Sequence, residues 1–137
     1  MKVVSACLAG VGCRYDGKGK PFEKVQQLVK EGKAILVCPE QLAGLSTPRP
    51  ATEIKEGKVV TKDGNDLTEI FEKGAFEALK IAQLAGCTEA VLKNKSPSCG
   101  CGKVYDGSFS GSLKEGDGIF AQLLKKHNFS IRTEEDL

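Results

Sequence analysis

The sequence predicts an α/β domain, a Rossmann-like three-layer sandwich built on a four-stranded, mostly parallel sheet. Three observations support this prediction: four short apolar runs have the length of strands, segments with helical periodicity separate them, and 137 residues suffice for one core. Strands that alternate with helices are joined by right-handed crossovers, and the expected strand order is 2-1-3-4. We expect residues 1–137 to form a single domain.

The first part of the sequence predicts two strands with a helix between them. Residues 3–6 form a short β-rich run that stops at Cys7, before a glycine-rich stretch. Pro21 suits the first turn of a helix, and the apolar residues after it recur at helical spacing until Gly32. Residues 34–38 are continuously apolar, as expected of a parallel strand covered on both faces.

The middle of the sequence predicts a hairpin and a long helix. Residues 52–61 alternate around a Glu-Gly turn, which predicts a small surface hairpin inserted in the sandwich. Asp66 with Glu69 three residues later forms a capping-box pattern, and the residues that follow keep one face apolar until Gly86. This pattern predicts a helix that begins at Asp66.

The last part predicts two more strands and one more helix. Residues 90–93 have the character of a third strand, and a glycine- and serine-rich loop follows over residues 95–116. Asp117 is expected to cap a helix that Asn128 ends. Residues 129–132 then form the fourth strand.

Composition and charge argue against several classes of protein. Lys and Arg number 20 and Asp and Glu number 18, so the net charge of +2 creates no field that gathers nucleic acid, and we expect no DNA partner. No run of 18 apolar residues occurs, and the residues after Lys2 lack the features of a leader, so we expect no membrane span. Six cysteines are too few for a disulfide scaffold and predict reduced thiols in a cytoplasmic protein.

Three cysteines lie where predicted parallel strands end. Cys7 ends the first strand, Cys38 ends the second, and Cys99 lies in the loop that leaves the third. The carboxyl ends of parallel strands meet at one edge, and adjacent strands lie about 4.8 Å apart, so these thiols can converge on one ion or cluster. The alternative is that each is a buried thiol, which we favour for Cys87.

The type of metal follows from the ligands available. Structural zinc prefers four ligands that include C-x2-4-C pairs, whereas the only close pair here is Cys99 and Cys101. His127 is expected at the end of a helix, where a cation suits the helix dipole, and not at a metal. Iron-sulfur clusters bind cysteine thiolates, and a cluster with three protein ligands leaves one iron open as a Lewis acid.

Other polar residues lie near these cysteines in the sequence. Glu40 follows Cys38 by two residues, and a partly desolvated carboxylate there can have its pKa raised toward neutrality and move protons, although a solvated loop acid is an equal alternative. Ser96 and Ser98 offer hydroxyls near the third thiol, unless they are ordinary loop residues. Arg49 between two prolines suits recognition of a planar group, or else forms a surface ion pair.

One phosphate-binding motif gives a competing hypothesis. Residues 12–18 match G-x-x-x-x-G-K between a predicted strand and a predicted helix. Gly19 stands where Ser or Thr would bind magnesium, and the helix is expected to start too late for Lys18 to reach a phosphate. Nucleotide binding is therefore the least favoured alternative.

Five ordered motifs together resemble a bacterial family whose characterised members are thiouracil desulfidases. The resemblance covers nearly the whole chain. The residues that carry it are Ser5-Ala6-Cys7-Leu8 to Cys13-Arg14-Tyr15-Asp16-Gly17, Cys38-Pro39-Glu40, Pro48-Arg49-Pro50, Lys95-Ser96-Pro97-Ser98-Cys99-Gly100, and Tyr105-Asp106-Gly107-Ser108-Phe109-Ser110-Gly111.

The resemblance implies a 4Fe-4S cluster that Cys7, Cys38 and Cys99 bind, with one open iron, supplied by iron-sulfur assembly machinery. It implies non-redox removal of sulfur from a small thiopyrimidine, 4-thiouracil or a related nucleobase or nucleoside, with release of hydrosulfide. Glu40 and Ser96 are the implied catalytic residues.

We expect some of the neighbouring side chains to frame the substrate ring, without choosing among them: Tyr15, Arg49, Lys93, Ser98 and Phe109. Cys13 and Cys101 lie close in sequence to two of the implied ligands, and either can substitute for one of them or act as a resting fourth ligand. The alternative function is a non-enzymatic module that binds metal or senses redox state through its thiols.

Overall fold

The parallel sheet has the strand order that the sequence predicts. A computed structural model describes residues 1–137. Its main sheet consists of β1 (Lys2–Ser5), β2 (Ala34–Val37), β5 (Glu89–Leu92) and β8 (Ser130–Thr133). The strand order is β2-β1-β5-β8, and every neighbouring pair is parallel. Counted along the chain these are the four parallel strands in the order 2-1-3-4, which confirms the prediction.

Helices cover both faces of this sheet and complete the three layers. On one face lie α3 (Thr68–Leu84) and α4 (Ile119–Lys126), and on the other lie α1 (Glu23–Lys30) and a short 3-10 helix over residues 6–9. Val3 packs into the first core and Val4 into the second, and both side chains are fully buried. Consecutive strand residues point to opposite faces, so burial of both requires a strand that is covered on both sides.

The predicted hairpin is present, and a second one was not predicted. Strands β3 (Thr52–Lys55) and β4 (Lys58–Thr61) pair around two residues with positive φ, Glu56 and Gly57, as a tight hairpin turn requires. A further hairpin, β6 (Lys103–Tyr105) with β7 (Leu113–Glu115), lies within residues 95–116, which the sequence predicts as loop. Strands of three residues are too short to show periodicity.

The predicted cap at Asp117 was wrong, whereas Asp66 does bind the first backbone N–H of its helix, from one residue further out than a regular cap. Asp66 Oδ1 accepts hydrogen bonds from Thr68, and the residue that precedes α3, Leu67, forms no side-chain cap. Asp117 Oδ1 accepts from the Gly102 backbone N–H at 2.8 Å, and its other oxygen pairs with Lys125. Contact with another part of the fold therefore decides where the Asp117 carboxylate points, while that of Asp66 stays at the start of its own helix.

The longest helix contains a glycine where another helix crosses it. A Cβ added at Gly74 in α3 would lie 2.0 Å from the Pro39 carbonyl oxygen and 2.8 Å from the Ala43 Cβ. Pro39 begins α2 (Pro39–Leu42), a single turn directly after β2. Absence of a side chain at Gly74 therefore lets α2 lie against α3.

None of the helices combines the length and the apolar composition that crossing a bilayer requires.

We predict that Gly74→Ala destabilises the fold by about 1–3 kcal/mol, because the added methyl group overpacks the contact with α2. The measurement is urea-induced unfolding under reducing conditions. Lys73→Ala, on the exposed side of α3, is the control and should change the free energy of unfolding by less than about 0.5 kcal/mol. A Gly74→Ala protein as stable as the parent would contradict this account of the packing.

Candidate functional site

A cavity of about 650 Å³ lies at the carboxyl ends of the parallel strands. All four strands contribute to its lining through residues that follow them: Cys7 after β1, Cys38 after β2, Cys99 after β5 and Glu134 after β8. A volume of a few hundred Å³ is typical of small-molecule sites. The carboxyl edge of the sheet therefore holds the candidate site, as expected for this class of fold.

Four of the six cysteines line the cavity: Cys7, Cys13, Cys38 and Cys99. The Cys38 thiol donates to the Cys13 carbonyl oxygen over 3.7 Å. The other two cysteines lie elsewhere: Cys87 is buried in the core under α3, and Cys101 is not among the lining residues. All six are free thiols. The glycine-rich loop thus adds a fourth thiol, Cys13, to those from the three strand ends.

The environment of three of these thiols, Cys13, Cys38 and Cys99, raises their pKa and so favours the neutral form. Burial raises the pKa of Cys99, and the nearby Cys38 and Glu40 raise it further. A hydrogen bond with Cys13, and then burial, raise the pKa of Cys38. For Cys13, the hydrogen bond with Cys38 lowers the pKa, but the hydrogen bond with Cys7 and burial outweigh it and raise the pKa to about 11. Binding of a metal as thiolates must therefore release protons.

The spacing of the donors bears on the kind of metal centre that fits. No three His, Cys, Asp or Glu side chains come close enough around one point to hold a single metal ion. In an iron-sulfur cluster the cysteines bind different irons, so their sulfurs need to line one cavity without meeting at one point. Several thiols around a shared cavity suit a cluster better than a mononuclear ion.

Glu40 lies in the cavity wall and is held at both carboxylate oxygens. Its Oε1 accepts a hydrogen bond from Arg49 Nε at 2.9 Å, and its Oε2 accepts one from Ser98 Oγ at 2.9 Å. The side chains of Glu40 and Arg49 are only 14% and 5% exposed, so this is a largely buried ion pair. The carboxylate is therefore fixed in position beside the thiols.

Arg49 ties Glu40 to the loop that carries Cys13. Its Nη2 donates to the Cys13 carbonyl oxygen at 2.7 Å, and its Nη1 donates to Thr47 Oγ1 at 2.8 Å and to the Ser46 carbonyl oxygen at 3.2 Å. Arg49 lines the cavity, but its guanidinium makes four hydrogen bonds, and all four, including the one from Nε to Glu40, go to protein groups. Its visible role is to position the carboxylate and the loop.

Ser96 supports the backbone at the third thiol. Its Oγ accepts hydrogen bonds from the backbone N–H groups of Ser98 and Cys99, at 3.1 and 3.0 Å. In both of these hydrogen bonds Ser96 Oγ is the acceptor, so its hydroxyl hydrogen remains available. The residue also lines the cavity. Ser96 thus fixes the turn before Cys99 and retains one donor.

The remaining ring-binding candidates divide into two groups. Tyr15, which is 46% exposed, and Lys93 both line the cavity. Phe109 does not line it, whereas Tyr105 from the same loop does. Glu53 holds this loop in place, since its Oε1 accepts from the backbone N–H groups of Gly107 and Phe109, both at 3.0 Å.

The glycine-rich motif at residues 12–18 lacks the helix that a phosphate cradle needs. Asp16 Oδ1 accepts from the backbone N–H of Lys18 at 3.0 Å, and α1 begins only at Glu23. Lys18 is exposed and does not line the cavity. The segment instead forms a loop that brings Cys13 to the site.

Sequence reasoning missed Glu53, Tyr105 and Glu134. Glu134 lies in an acidic run near the end of the chain, which is typical of a solvated tail, yet it is 5% exposed. Its position directly after the fourth parallel strand could have identified it as a site residue, because residues that follow the other three strands were already assigned to the site. Glu53 and Tyr105 follow no parallel strand; Tyr105 does stand in one of the motifs that carry the family resemblance, but Phe109 was chosen from that motif instead.

Three comparisons with known proteins agree with one another. Residues 3–136 match the 2-thiouracil desulfurase family. The uncharacterized protein YbbK of Bacillus subtilis (strain 168) is 42% identical over 147 residues, which span 100% of this chain and 97% of YbbK. A solved structure of the 4Fe-4S-dependent thiouracil desulfidase TudS is 42% identical with a TM-score of 0.94, over 98% of this chain and 91% of that one.

We predict that Arg49→Met destabilises the protein by about 3–5 kcal/mol, because it leaves the Glu40 carboxylate buried without its cation. Urea unfolding under reducing conditions measures the loss. Lys80→Met is the matched control: it removes a cation from the Lys80–Glu77 pair, whose side chains are 51% and 42% exposed, and should cost about 0–1 kcal/mol. Equal losses in the two variants would contradict the structural role of Arg49.

Proposed function

The chain belongs to the 2-thiouracil desulfurase family, and on that premise we propose that it converts a thiolated pyrimidine to the carbonyl form and releases hydrosulfide without net redox change. The substrate is 4-thiouracil or a related thionucleobase or nucleoside. One observation carries the proposal: thiols that follow three parallel strands line the same cavity as a fixed carboxylate. Residues 1–137 act as one domain in the cytoplasm, where thiols stay reduced.

A 4Fe-4S cluster is the proposed cofactor, with Cys7, Cys38 and Cys99 as its ligands. When bound through three cysteines, such a cluster supplies an iron without a protein ligand, a Lewis acid for the thiocarbonyl sulfur. Support comes from the cluster dependence stated for TudS and from the four free thiols in the cavity wall. Iron-sulfur assembly machinery is the proposed source of the cluster.

Glu40 is the proposed general base. Each of its carboxylate oxygens accepts one hydrogen bond from the protein, so each keeps a lone pair that can accept a proton from water. The water gives one proton to Glu40 and attacks the ring carbon that carries the sulfur. The C–S bond then breaks, the sulfur leaves as hydrosulfide with the second proton of that water, and the carbonyl forms. Arg49 and Ser98 keep the carboxylate oriented during this step, and the free hydroxyl hydrogen of Ser96 orients the water or relays a proton.

The substrate ring is proposed to lie between the thiols and the outer wall of the cavity. Tyr15, Lys93 and Ser98 line this space and are available to frame the ring. Of these, Ser98 already donates its hydroxyl hydrogen to Glu40 and can only accept from a ligand. Tyr105 joins this group because it also lines the cavity. Phe109 does not line it, and its backbone N–H helps to hold the loop through the hydrogen bond to Glu53.

We predict that Cys7→Ala, Cys38→Ala and Cys99→Ala each lose the cluster on anaerobic reconstitution with iron and sulfide, while the parent binds about four irons per chain. Iron and sulfide content and visible absorption measure the outcome. Cys87→Ala, which removes a buried thiol from the core, should keep the full cluster. Full cluster content in all three ligand variants would overturn the assignment.

Cys13→Ala tests which of the four cavity thiols are ligands. We predict that this variant keeps its cluster, because the three-ligand set is complete without Cys13. If Cys13→Ala loses the cluster and one of the other three cysteine variants keeps it, then Cys13 is a ligand and the cysteine changed in that other variant is not.

We predict that Glu40→Gln keeps the cluster but lowers the rate of hydrosulfide release by about 10²- to 10⁴-fold, because an amide cannot accept the proton of water. The rate is measured anaerobically at saturating 4-thiouracil, with iron content determined on the same sample. Glu77→Gln, in an exposed ion pair, is the control and should keep the parental rate. A Glu40→Gln rate equal to that of the parent would remove Glu40 from the mechanism.

A further inference from the structure

We infer that Lys93 and Glu134 form a recognition pair for the pyrimidine ring, in which the lysine donates to a ring carbonyl and Glu134 accepts from the adjacent ring N–H. Glu134 is then a specificity-determining residue that selects an unsubstituted ring nitrogen. This inference rests on the proposed function, since it names how the same cavity reads its substrate.

The sheet register places the two side chains next to each other. Strands β5 and β8 are parallel neighbours, and Leu92 pairs with Thr133 at their carboxyl ends. Lys93 directly follows Leu92, and Glu134 directly follows Thr133; both residues line the cavity. Lys93 Nζ lies 3.2 Å from Glu134 Oε2, and the side chains are 13% and 3% exposed.

Glu134 has one carboxylate oxygen that the protein leaves without a hydrogen bond. Its Oε1 accepts from the Asn94 backbone N–H at 2.7 Å. Its Oε2 is the one buried side-chain nitrogen or oxygen atom in this structure that has no hydrogen-bond partner. Although the Lys93 ammonium lies within ion-pair distance of Oε2, its hydrogen bonds go to the Asn94 carbonyl and amide oxygens.

A buried acceptor without a hydrogen bond needs an explanation even beside a cation, because nearly all buried polar groups in folded proteins have hydrogen-bond partners. The Lys93 ammonium balances the charge of Glu134 from 3.2 Å, but its hydrogen bonds go to the two oxygens of Asn94, so Oε2 receives none. The pair therefore places a cation beside a carboxylate oxygen that has no hydrogen bond, at the wall of a ligand-sized cavity, and the protein covers this oxygen in the present arrangement.

A neighbouring donor and acceptor match a neighbouring carbonyl and N–H. The C2 carbonyl of a uracil ring is flanked by ring N–H groups, so a single edge of the ring presents both. On binding, the Lys93 ammonium moves from its position beside Oε2 to the ring carbonyl, and this movement opens Oε2 to the ring N–H. A carboxylate acceptor gives a strong, charge-assisted hydrogen bond, and it rejects a ring that carries a methyl group at that nitrogen.

The test measures dissociation constants by calorimetry, with the reconstituted protein and three non-reacting probes: uracil, 1-methyluracil and 3-methyluracil. The parent should bind uracil and one of the methylated probes, and should bind the other methylated probe about 10- to 100-fold more weakly, as expected for loss of one charged hydrogen bond. This comparison needs no variant and so does not depend on the folding of one.

Glu134→Gln is the matching variant, because the Gln carbonyl oxygen can still accept from Asn94 while its NH₂ group replaces the free acceptor. It should bind uracil about 10- to 100-fold more weakly than the parent and should show no further loss with the discriminating methylated probe. Glu89→Gln, in the exposed ion pair at the other end of β5, is the control and should bind all three probes like the parent.

Unchanged uracil affinity in Glu134→Gln, an equal loss for all three probes, or no uracil binding by the parent would each overturn the inference. Hydrosulfide release from 4-thiouracil is measured separately on the same samples. If hydrosulfide is released but the two methylated probes bind equally well, the inference is wrong and the proposed reaction stands. If one methylated probe binds more weakly but no hydrosulfide is released, the recognition pair is supported and the proposed reaction is wrong.

Discussion

The parallel direction of four short strands is the constraint on which the site depends. Because each strand ends at the same edge of the sheet, whatever residue follows it is delivered to that edge. Cys7, Cys38, Cys99 and Glu134 come from distant parts of the chain and share no local motif, yet all line one cavity. The buried valines of the strands thus determine the geometry of the site without taking part in it, since they hold the sheet between its helical layers.

A second constraint is the buried ion pair between Arg49 and Glu40. Burial of two charges carries a desolvation penalty that their mutual attraction offsets only when the geometry is good, so such a pair is weak evidence for stability by itself. Here the guanidinium also holds the loop of Cys13, and Ser98 holds the second carboxylate oxygen. We interpret the pair as a device that fixes a carboxylate beside the thiols, while Gly74 allows the helix that carries Glu40 to lie close to α3.

The sequence predicted the sheet well because strands buried on both faces leave continuous apolar runs, as residues 34–38 do. The same logic located three of the thiols, since Cys7 and Cys38 end such runs and Cys99 lies in the loop after another. The cap at Asp117 was wrong because this carboxylate binds a distant backbone group, and spacing along the chain does not report that choice. The division of labour between Ser96 and Ser98 was equally hidden: both are loop serines, and only the folded turn directs one hydroxyl to the backbone and the other to Glu40.

The visible absorption spectrum of the anaerobically reconstituted protein, recorded before and after addition of 4-thiouracil, tests the central claim most directly. Our account predicts the broad absorption of a thiolate-bound iron-sulfur cluster, a change in that absorption when 4-thiouracil is added, and formation of uracil and hydrosulfide in equal amounts. A protein that stays colourless after reconstitution, or a cluster whose spectrum ignores 4-thiouracil while no hydrosulfide forms, would contradict it.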